Sequence, residues 1–286
     1  MDLEQYVLDN EPAIRLAFFL GVFAIIGLWE VVAPRRALTV SKALRWASNL
    51  GLVALNTLLR LVFPLAAAGI AAFGVANGWG LLNHFQVPFW IAVPVAVIAM
   101  DLVIWLQHVL VHAVPALWRL HRVHHADLDY DVTTGARFHP IEIVLSMLIK
   151  FATITVLGPP VLAVVIFEVL LNATAMFNHG NIRLPAALDR VLRWFVVTPD
   201  MHRVHHSVED DETNSNFGFN LPWWDRLFGT YRAQPRAGHV EMTIGIHSHR
   251  DVQEVARLPG LLILPFRGEV EAYAINRRHW SEGGVS

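Results

Sequence analysis

The sequence predicts an all-α protein in which a polytopic helical membrane base supports a polar helical cap. Of its 286 residues, 55% are hydrophobic and only 16% are charged, and the mean hydropathy is +0.44. Soluble domains usually carry about 25% charged residues. The chain also contains several apolar runs long enough to cross a bilayer, and most of its 15 histidines lie in polar stretches close to these runs. These observations favour a multi-pass membrane protein with a histidine-rich cap.

Four apolar segments predict about four spanning or hairpin helices. They cover about 14–32, 50–75, 87–104 and 141–176. About 20 apolar residues in a helix cross a bilayer, and the first three segments are near that length. The fourth is longer and is interrupted by Gly158-Pro159-Pro160, so we expect two short helices in a hairpin that crosses or re-enters the membrane.

Basic residues predict the side of the membrane on which the cap lies. Four of them stand between the first two apolar segments, namely Arg35, Arg36, Lys42 and Arg45. The next connection, residues 76–86, contains no Lys or Arg. The positive-inside rule then places the N-terminus outside and the histidine-rich regions in the cytoplasm. The membrane would be a bacterial inner membrane or that of the endoplasmic reticulum.

The predicted organisation is a single domain over residues 1–286. Its cytoplasmic cap would comprise about 105–140 and 177–286. The acidic start of the chain lacks the basic region of a signal peptide, so we expect the first apolar segment to be a retained anchor.

Net charge and cysteine content exclude several classes of function. The formal net charge is -2, so no basic field indicates binding to nucleic acid. The chain has no cysteine, which excludes disulfides, thiolate ligands, iron–sulfur clusters and a cysteine nucleophile.

Nine histidines fall into a regular series of motifs. The series contains one His-x3-His, two identical His-Arg-Val-His-His pentapeptides that begin 81 residues apart, and one isolated histidine. In chain order they are His108, His112, His121, His124, His125, His179, His202, His205 and His206. Residues three and four apart share a helical face, with Cβ atoms about 5–6 Å apart, so each motif presents two or three imidazoles together. Neutral imidazole is a common metal ligand, and the motifs therefore indicate a metal site.

The number of clustered histidines favours two metal ions. A catalytic zinc takes about three protein ligands and a structural zinc about four, usually including sulfur. Nine histidines suit two metals with four or five imidazoles each and positions left for dioxygen. Ferritin-like di-iron proteins use Glu-x-x-His pairs, and none occurs near these motifs. We expect a site made almost entirely of nitrogen ligands.

Further residues are expected around this site. His139 is a candidate additional ligand or a supporting residue. Carboxylates that flank the motifs are candidate acceptors for the second ring nitrogens: Asp101, Asp127, Asp129, Asp131, Glu142, Asp200 and Asp210. The other histidines are interpreted as ordinary polar residues: His84, His239, His247, His249 and His279.

The order of the motifs on a hydrophobic base resembles the fatty acid hydroxylase and sterol desaturase superfamily of membrane, histidine-ligated di-iron oxygenases. The resemblance covers about residues 89–231. It includes the stretches Trp118–His125, Phe138–Glu142, Phe177–Asn181 and Asn214–Tyr231.

The resemblance implies that the nine histidines hold a non-haem centre of two iron ions, with zinc as a substitute. It implies O2-dependent hydroxylation or desaturation of an unactivated C–H bond in a lipid such as a sterol, fatty acyl chain, sphingolipid or alkylglycerol. The chain departs from some members at Ala175, where they carry a second histidine four residues before His179; His139 or a water would take that place. No catalytic residue is identified beyond the ligands.

Partners and alternatives follow from the same residues. No nicotinamide, flavin or haem motif is found, so a separate electron donor of the ferredoxin or cytochrome b5 type is expected. We expect a substrate groove with walls near 102–110 and 144–176.

A membrane-embedded zinc hydrolase would be expected to carry His-Glu-x-x-His, which the sequence lacks. A metal-handling membrane protein would place its histidines within the spanning helices, and a non-catalytic scaffold would be expected to have lost ligands.

Overall fold

The computed structural model describes residues 3–62, 66–270 and 275, and in this part of the chain every regular element is a helix. The first eight helices are α1 (Leu3–Val32), α2 (Lys42–Val62), α3 (Ala67–Ala76), α4 (Leu81–His84), α5 (Phe89–Ala113), α6 (Pro115–His125), α7 (Pro140–Leu157) and α8 (Val161–Asn178). Seven short helices follow: α9 (Ala186–Leu192), α10 (Pro199–His205), α11 (Asp210–Thr213), α12 (Trp223–Leu227), α13 (Gly238–Glu241), α14 (Val252–Val255) and α15 (Leu258–Ile263). Single 3-10 turns lie at Thr134–Ala136 and Leu264–Phe266. The predicted all-α fold class is confirmed.

Four helices are long and apolar enough to cross a membrane, namely α1, α5, α7 and α8. Helix α8 packs against both α1 and α5. Small buried residues such as Ala96 and Ala163 lie in their common core, where they allow close approach of the helices. The opposite faces carry exposed apolar side chains, among them Leu28, Leu148 and Val156. These helices indicate a membrane protein.

The segment predicted at 50–75 is not one continuous helix. It forms the end of α2 and the ten-residue α3, separated by residues 63–65, which lie outside the described part. Helix α5 extends to Ala113 instead of ending near residue 104, so that His108 and His112 belong to it. Helix α1 begins at Leu3 instead of residue 14.

The break predicted in the fourth apolar segment lies between α7 and α8. Gly158 ends α7 in the left-handed conformation, with φ of 64°. A Cβ at this position would lie 2.2 Å from the carbonyl oxygen of Trp79, so only glycine fits. The hairpin brings the start of α7 and the end of α8 to the same end of the base, beside the histidines.

Candidate metal centre

All nine motif histidines converge in the structure, and they separate into two sets. The five-histidine set contains His108, His112, His121, His125 and His205. The four-histidine set contains His124, His179, His202 and His206. Within each set the ligand nitrogens lie within 4.8 Å of one another, and every member is buried.

The spacing of the nitrogens fits metal coordination. In the five-histidine set the Nε2 atom of His108 lies 3.2 Å from that of His121 and 3.0 Å from that of His205. In the four-histidine set the Nε2 atom of His179 lies 3.1–3.2 Å from those of His124, His202 and His206. Two nitrogens bound at about 2.0–2.1 Å to one ion, at angles of roughly 90–110°, would be about 2.9–3.4 Å apart. Each set can therefore surround one metal ion.

The two pentapeptides divide their side chains in opposite ways. The first gives its i and i+4 residues, His121 and His125, to the five-histidine set and its i+3 residue to the other set. The second gives His202 and His206 to the four-histidine set and its i+3 residue to the other set. Each pentapeptide thus contributes histidines to both sets.

The two sets adjoin through stacked rings. His125 of the five-histidine set stacks on His206 of the four-histidine set with centroids 4.6 Å apart and an interplanar angle of 16°. His205 and His202 stack in the same way at 5.1 Å and 26°. Two ions held by these sets would be neighbours.

Backbone carbonyls orient the second ring nitrogen of three of the nine motif histidines. The Nδ1 atoms of His108, His179 and His205 each lie 2.7 Å from a carbonyl oxygen, that of Phe217, Ala175 and Ser215 respectively. A carbonyl accepts only from a protonated Nδ1, so these contacts leave the Nε2 lone pair facing the other imidazoles. The tautomer therefore matches metal binding through Nε2.

Burial favours the uncharged form of six motif histidines that lie outside the spanning helices. It lowers the pKa of His124, His125, His202 and His206 well below the ordinary value of histidine, and neighbouring imidazoles act in the same direction. Burial also lowers the pKa of His179 and His205 to about 3. Neutral imidazole is the form that binds a metal ion.

Glu142 is a flanking carboxylate that contacts a motif histidine. Its Oε1 atom lies 2.6 Å from Nδ1 of His121. Asp127 and Asp131 instead bind the buried guanidinium of Arg45, and Asp101 accepts a hydrogen bond from Trp224 at 2.8 Å. A buried guanidinium is strongly destabilising without a carboxylate partner, and Arg45 therefore binds Asp127 and Asp131, which are then not oriented towards an imidazole.

The loop after the first pentapeptide is fixed by charges from α1 and α2, which sequence reasoning missed. Arg45 binds both carboxylate oxygens of Asp127 at 2.7 Å and contacts Asp131 as well. Glu30 accepts backbone hydrogen bonds from Val132 at 2.9 Å and Asn181 at 3.0 Å, so it ties this loop to the segment after His179. The basic residues near the first loop predict the side of the membrane on which the histidines lie. Arg45 also holds the loop after the first pentapeptide in place.

Asp225 was likewise missed as a supporting residue. It accepts hydrogen bonds from the backbone N–H groups of Phe217 and Gly218 at 2.9 and 2.8 Å and from Trp105 Nε1 at 3.0 Å. It therefore holds the loop whose carbonyl orients His108. The Trp224-Asp225-Arg226 sequence was noted for the resemblance, but its contact could not be read from it.

The structure does not bring His139 into either set. It caps the start of α7, where its Nδ1 accepts from the N–H of Ile141 at 3.2 Å, and its Nε2 lies 3.3 Å from the carbonyl of Leu262. His84, His239, His247 and His249 are also outside the two sets, and His279 lies outside the described residues.

A cavity of about 600 Å³ reaches the metal centre from the helical base. His108 and His121 line its inner end, together with Phe138 and Ala175. Helices α5, α7 and α8 form much of its wall, as the sequence predicted, and α1 and α2 add residues that it did not. A substrate in this cavity would lie against two members of the five-histidine set, His108 and His121.

Comparison with known proteins places these features in a family. Residues 93–230 match the fatty acid hydroxylase family model, and all nine motif histidines fall within this range. The chain is 27% identical over 237 residues to an ornithine lipid hydroxylase of Rhizobium tropici, a match that covers 79% of this chain and 69% of the relative. It is 30% identical over 129 residues to an alkylglycerol monooxygenase of Xenopus tropicalis and 26% identical over 132 residues to the human one.

The two kinds of relative are matched to different extents. The alignments with the alkylglycerol monooxygenases cover 43–44% of this chain and only 27% of those proteins. No solved structure is significantly similar to the chain. The matched domain, the lipid hydroxylase and monooxygenase relatives and the helical base with its histidine centre agree, and residues 93–230 of the chain form a fatty acid hydroxylase domain.

Proposed function

We propose that this protein is an O2-dependent lipid hydroxylase whose nine motif histidines hold two iron ions, five around one and four around the other. The observation that supports it is the pair of adjoining, buried histidine sets, one of which lines the inner end of a cavity in a helical, apolar base. The named relatives are a lipid hydroxylase and lipid monooxygenases, so hydroxylation is favoured over desaturation.

The residues of the chain would position both the metal and the substrate. Two bound iron ions supply the activation of dioxygen that attack on an unactivated C–H bond requires. The backbone carbonyls at Ala175, Ser215 and Phe217 fix the tautomers of His179, His205 and His108, and Glu142 does so for His121. The cavity excludes bulk water and holds one carbon of the lipid near the centre.

The proposed substrate is a lipid that enters from the bilayer. The relatives act, by their names, on an ornithine lipid and on alkylglycerols, both of which have a polar headgroup. The cavity is correspondingly mixed, with apolar side chains such as Leu16 and Phe19 beside charged ones such as Arg15 and Lys150.

The membrane arrangement is part of the proposal. The chain would cross the membrane several times, with the histidine centre on the cytoplasmic side of a bacterial inner membrane or of the endoplasmic reticulum. The reduction of two iron ions needs electrons, and a soluble or membrane-bound donor of the ferredoxin or cytochrome b5 type would supply them from that side.

Metal analysis and isotope labelling test this function. The purified protein is loaded anaerobically with iron, reduced chemically and given host membrane lipids under 18O2; we expect about two iron ions per chain and one 18O atom in the lipid product. His124→Ala and His205→Ala each remove a ligand from a different set and should lower bound iron and abolish turnover. His84→Ala, an exposed histidine on α4, is the matched control and should change neither.

Two results would contradict the proposal. Full turnover in both His124→Ala and His205→Ala would show that these histidines are not required as metal ligands. One zinc ion per chain, no iron and hydrolytic activity would favour the zinc hydrolase instead, and metal flux into vesicles would favour a metal-handling protein.

A further inference from the structure

A cluster of four charged side chains lies within the apolar helices that form the cavity. Arg15 of α1 binds Glu168 of α8 at 2.8 Å and also its own helical neighbour Glu11. Lys150 of α7 contacts the same Glu168. Charged side chains in membrane-spanning helices are costly to bury, and they usually face a cavity or a substrate path.

Three members of this charged cluster line the cavity itself. They are Glu11, Arg15 and Lys150, whereas Glu168 lies behind them with only 3% of its side chain exposed. The side chains of Arg15 and Lys150 retain 23% and 13% exposure, so they can contact a molecule in the cavity. The cavity thus presents two cations and one anion on its wall.

The formal charge of the cluster restricts its ligand. Two carboxylates and two cations sum to zero. A headgroup with a net negative charge would leave an unbalanced charge in a low-dielectric region, which is unfavourable. A zwitterionic headgroup would pair its anionic group with the cations and its ammonium with Glu11, and the total would remain zero.

Polar acceptors continue along the cavity towards the metal centre. The side-chain oxygen of Asn56, the Oε1 atom of Gln107 and the Oε2 atom of Glu142 are buried and accept no hydrogen bond within the described part of the chain. All three residues line the cavity. They provide acceptors for hydroxyl or amide N–H groups of a polar lipid, and a purely hydrocarbon ligand would leave them unsatisfied.

Helix geometry gives the distance between the charged cluster and the metal centre. Lys150 follows Glu142, the partner of His121, by eight residues on α7, which corresponds to about 12 Å along the helix axis. Glu168 precedes His179 by eleven residues on α8, or about 16 Å. A lipid held at the cluster would present to the metals a carbon about 12–16 Å from its headgroup charges.

We propose that the Glu11–Arg15–Lys150–Glu168 cluster binds the headgroup of a zwitterionic lipid, with the anionic group, a phosphate or a carboxylate, on Arg15 and Lys150 and the ammonium on Glu11. The inference rests on the proposed function only for the role of the metal centre as the oxidising end of the cavity. It makes the charged cluster the determinant of which lipid is selected.

Lipid binding without turnover tests this site. The full-length, iron-loaded protein in detergent is titrated with acyl-labelled fluorescent lipids: phosphatidylethanolamine and Nα-oleoyl-lysine as zwitterions with phosphate or carboxylate, phosphatidylglycerol as a net anion, and diacylglycerol as the uncharged reference. Hydrogen bonds to charged groups are worth about 1.5–3 kcal/mol, so at least one zwitterion should bind about 10- to 100-fold more tightly than diacylglycerol. The zwitterion that binds more tightly identifies the anionic group.

Variants separate headgroup binding from a structural ion cluster. Glu11→Gln leaves the cluster with a net positive charge and should shift the preference to phosphatidylglycerol. Lys150→Met should abolish discrimination between the lipids, and Lys150→Arg should restore it. Arg232→Met removes an ion pair with Asp211 in the cap, outside the cavity lining, and should leave the ranking unchanged.

The outcomes that overturn the inference are distinct from those that overturn the proposed function. Equal binding of all four lipids to the wild type, or an unchanged ranking in Glu11→Gln, refutes the headgroup site even if the protein oxidises lipids. Headgroup discrimination in a protein that oxidises no lipid supports the site and contradicts only the proposed function. If Lys150→Met does not fold, as judged by gel filtration, the lipid ranking of the nearly isosteric Glu11→Gln variant tests the headgroup site.

Discussion

Replacement of Glu142 should weaken metal binding at the five-histidine set. The 2.6 Å contact between its carboxylate and Nδ1 of His121 is buried, with 4% of Glu142 and 1% of His121 exposed. A hydrogen bond to a charged group contributes about 1.5–3 kcal/mol, which corresponds to a factor of about 10–150 in affinity. Loss of such a partner from a metal-bound histidine typically lowers metal affinity by about 10- to 100-fold.

The loss of iron affinity depends on which residue replaces Glu142. Glu142→Gln keeps an oxygen acceptor but loses the charge, so iron affinity should fall by about tenfold. Glu142→Leu loses both and should approach the hundredfold limit. In each case the second iron, held by the four-histidine set, should be much less affected, because that set has no contact with Glu142 among the described hydrogen bonds.

Competition with a chelator measures both dissociation constants. Glu254→Gln is the matched control, since Glu254 pairs with His249 at 3.1 Å outside the metal centre. The control should retain the affinity of the wild type, and the thermal unfolding of all variants identifies any general loss of structure. Iron binding in Glu142→Leu equal to that of the wild type would show that the carboxylate does not support a metal ligand.

Further predictions concern the loop and the close packing around the histidines. Arg45→Met leaves Asp127 buried without its bidentate partner and should lower the free energy of unfolding by about 3–5 kcal/mol, measured by denaturant titration. Burial raises the pKa of Asp127, but the charges of Arg45 and Arg137 outweigh it and hold that pKa at about 2. The stabilisation is therefore complete above the ordinary aspartate pKa and is lost as the pH falls towards 2, so the difference between Arg45→Met and the wild type should shrink over that range. Gly135→Ala places a Cβ 2.5 Å from the carbonyl oxygen that orients His179 and should reduce bound iron from about two ions to about one, whereas Gly69→Ala, with open space around it, should bind both. Removal of iron by a chelator should lower the melting temperature, because a ligand bound only by the folded state stabilises it; equal melting temperatures with and without iron would contradict metal binding at these sets.

The sequence predicted the fold class and the superfamily because both depend on local patterns. The apolar lengths of α1 and α5 follow from composition within one segment, and the glycine and prolines at 158–160 mark the hairpin directly. Histidines three and four apart share a helical face whatever the rest of the chain does. Their assignment as metal ligands remains a prediction until a metal is measured.

Other features depend on contacts between distant segments and could not be predicted from the sequence. The partner of His121 is Glu142, 21 residues away, while Asp127, two residues after the first pentapeptide, binds Arg45 instead. Which histidines share a metal depends on how α5, α6 and α10 cross, and spacing along one helix does not determine it. The end of α2 at Val62 could not be predicted, because the apolar composition continues from α2 into α3.

The histidine arrangement also explains why one set has five members and the other four. The five-histidine set combines two i, i+4 pairs, His108 with His112 and His121 with His125, and one histidine from the second pentapeptide. The four-histidine set has one such pair, the i+3 histidine of the first pentapeptide, and His179 alone. The residue that would complete a second pair, four before His179, is Ala175, and this alanine lines the cavity. The cavity therefore reaches the centre beside this alanine and beside His108 and His121 of the five-histidine set, and we expect dioxygen and the lipid to approach the centre from there.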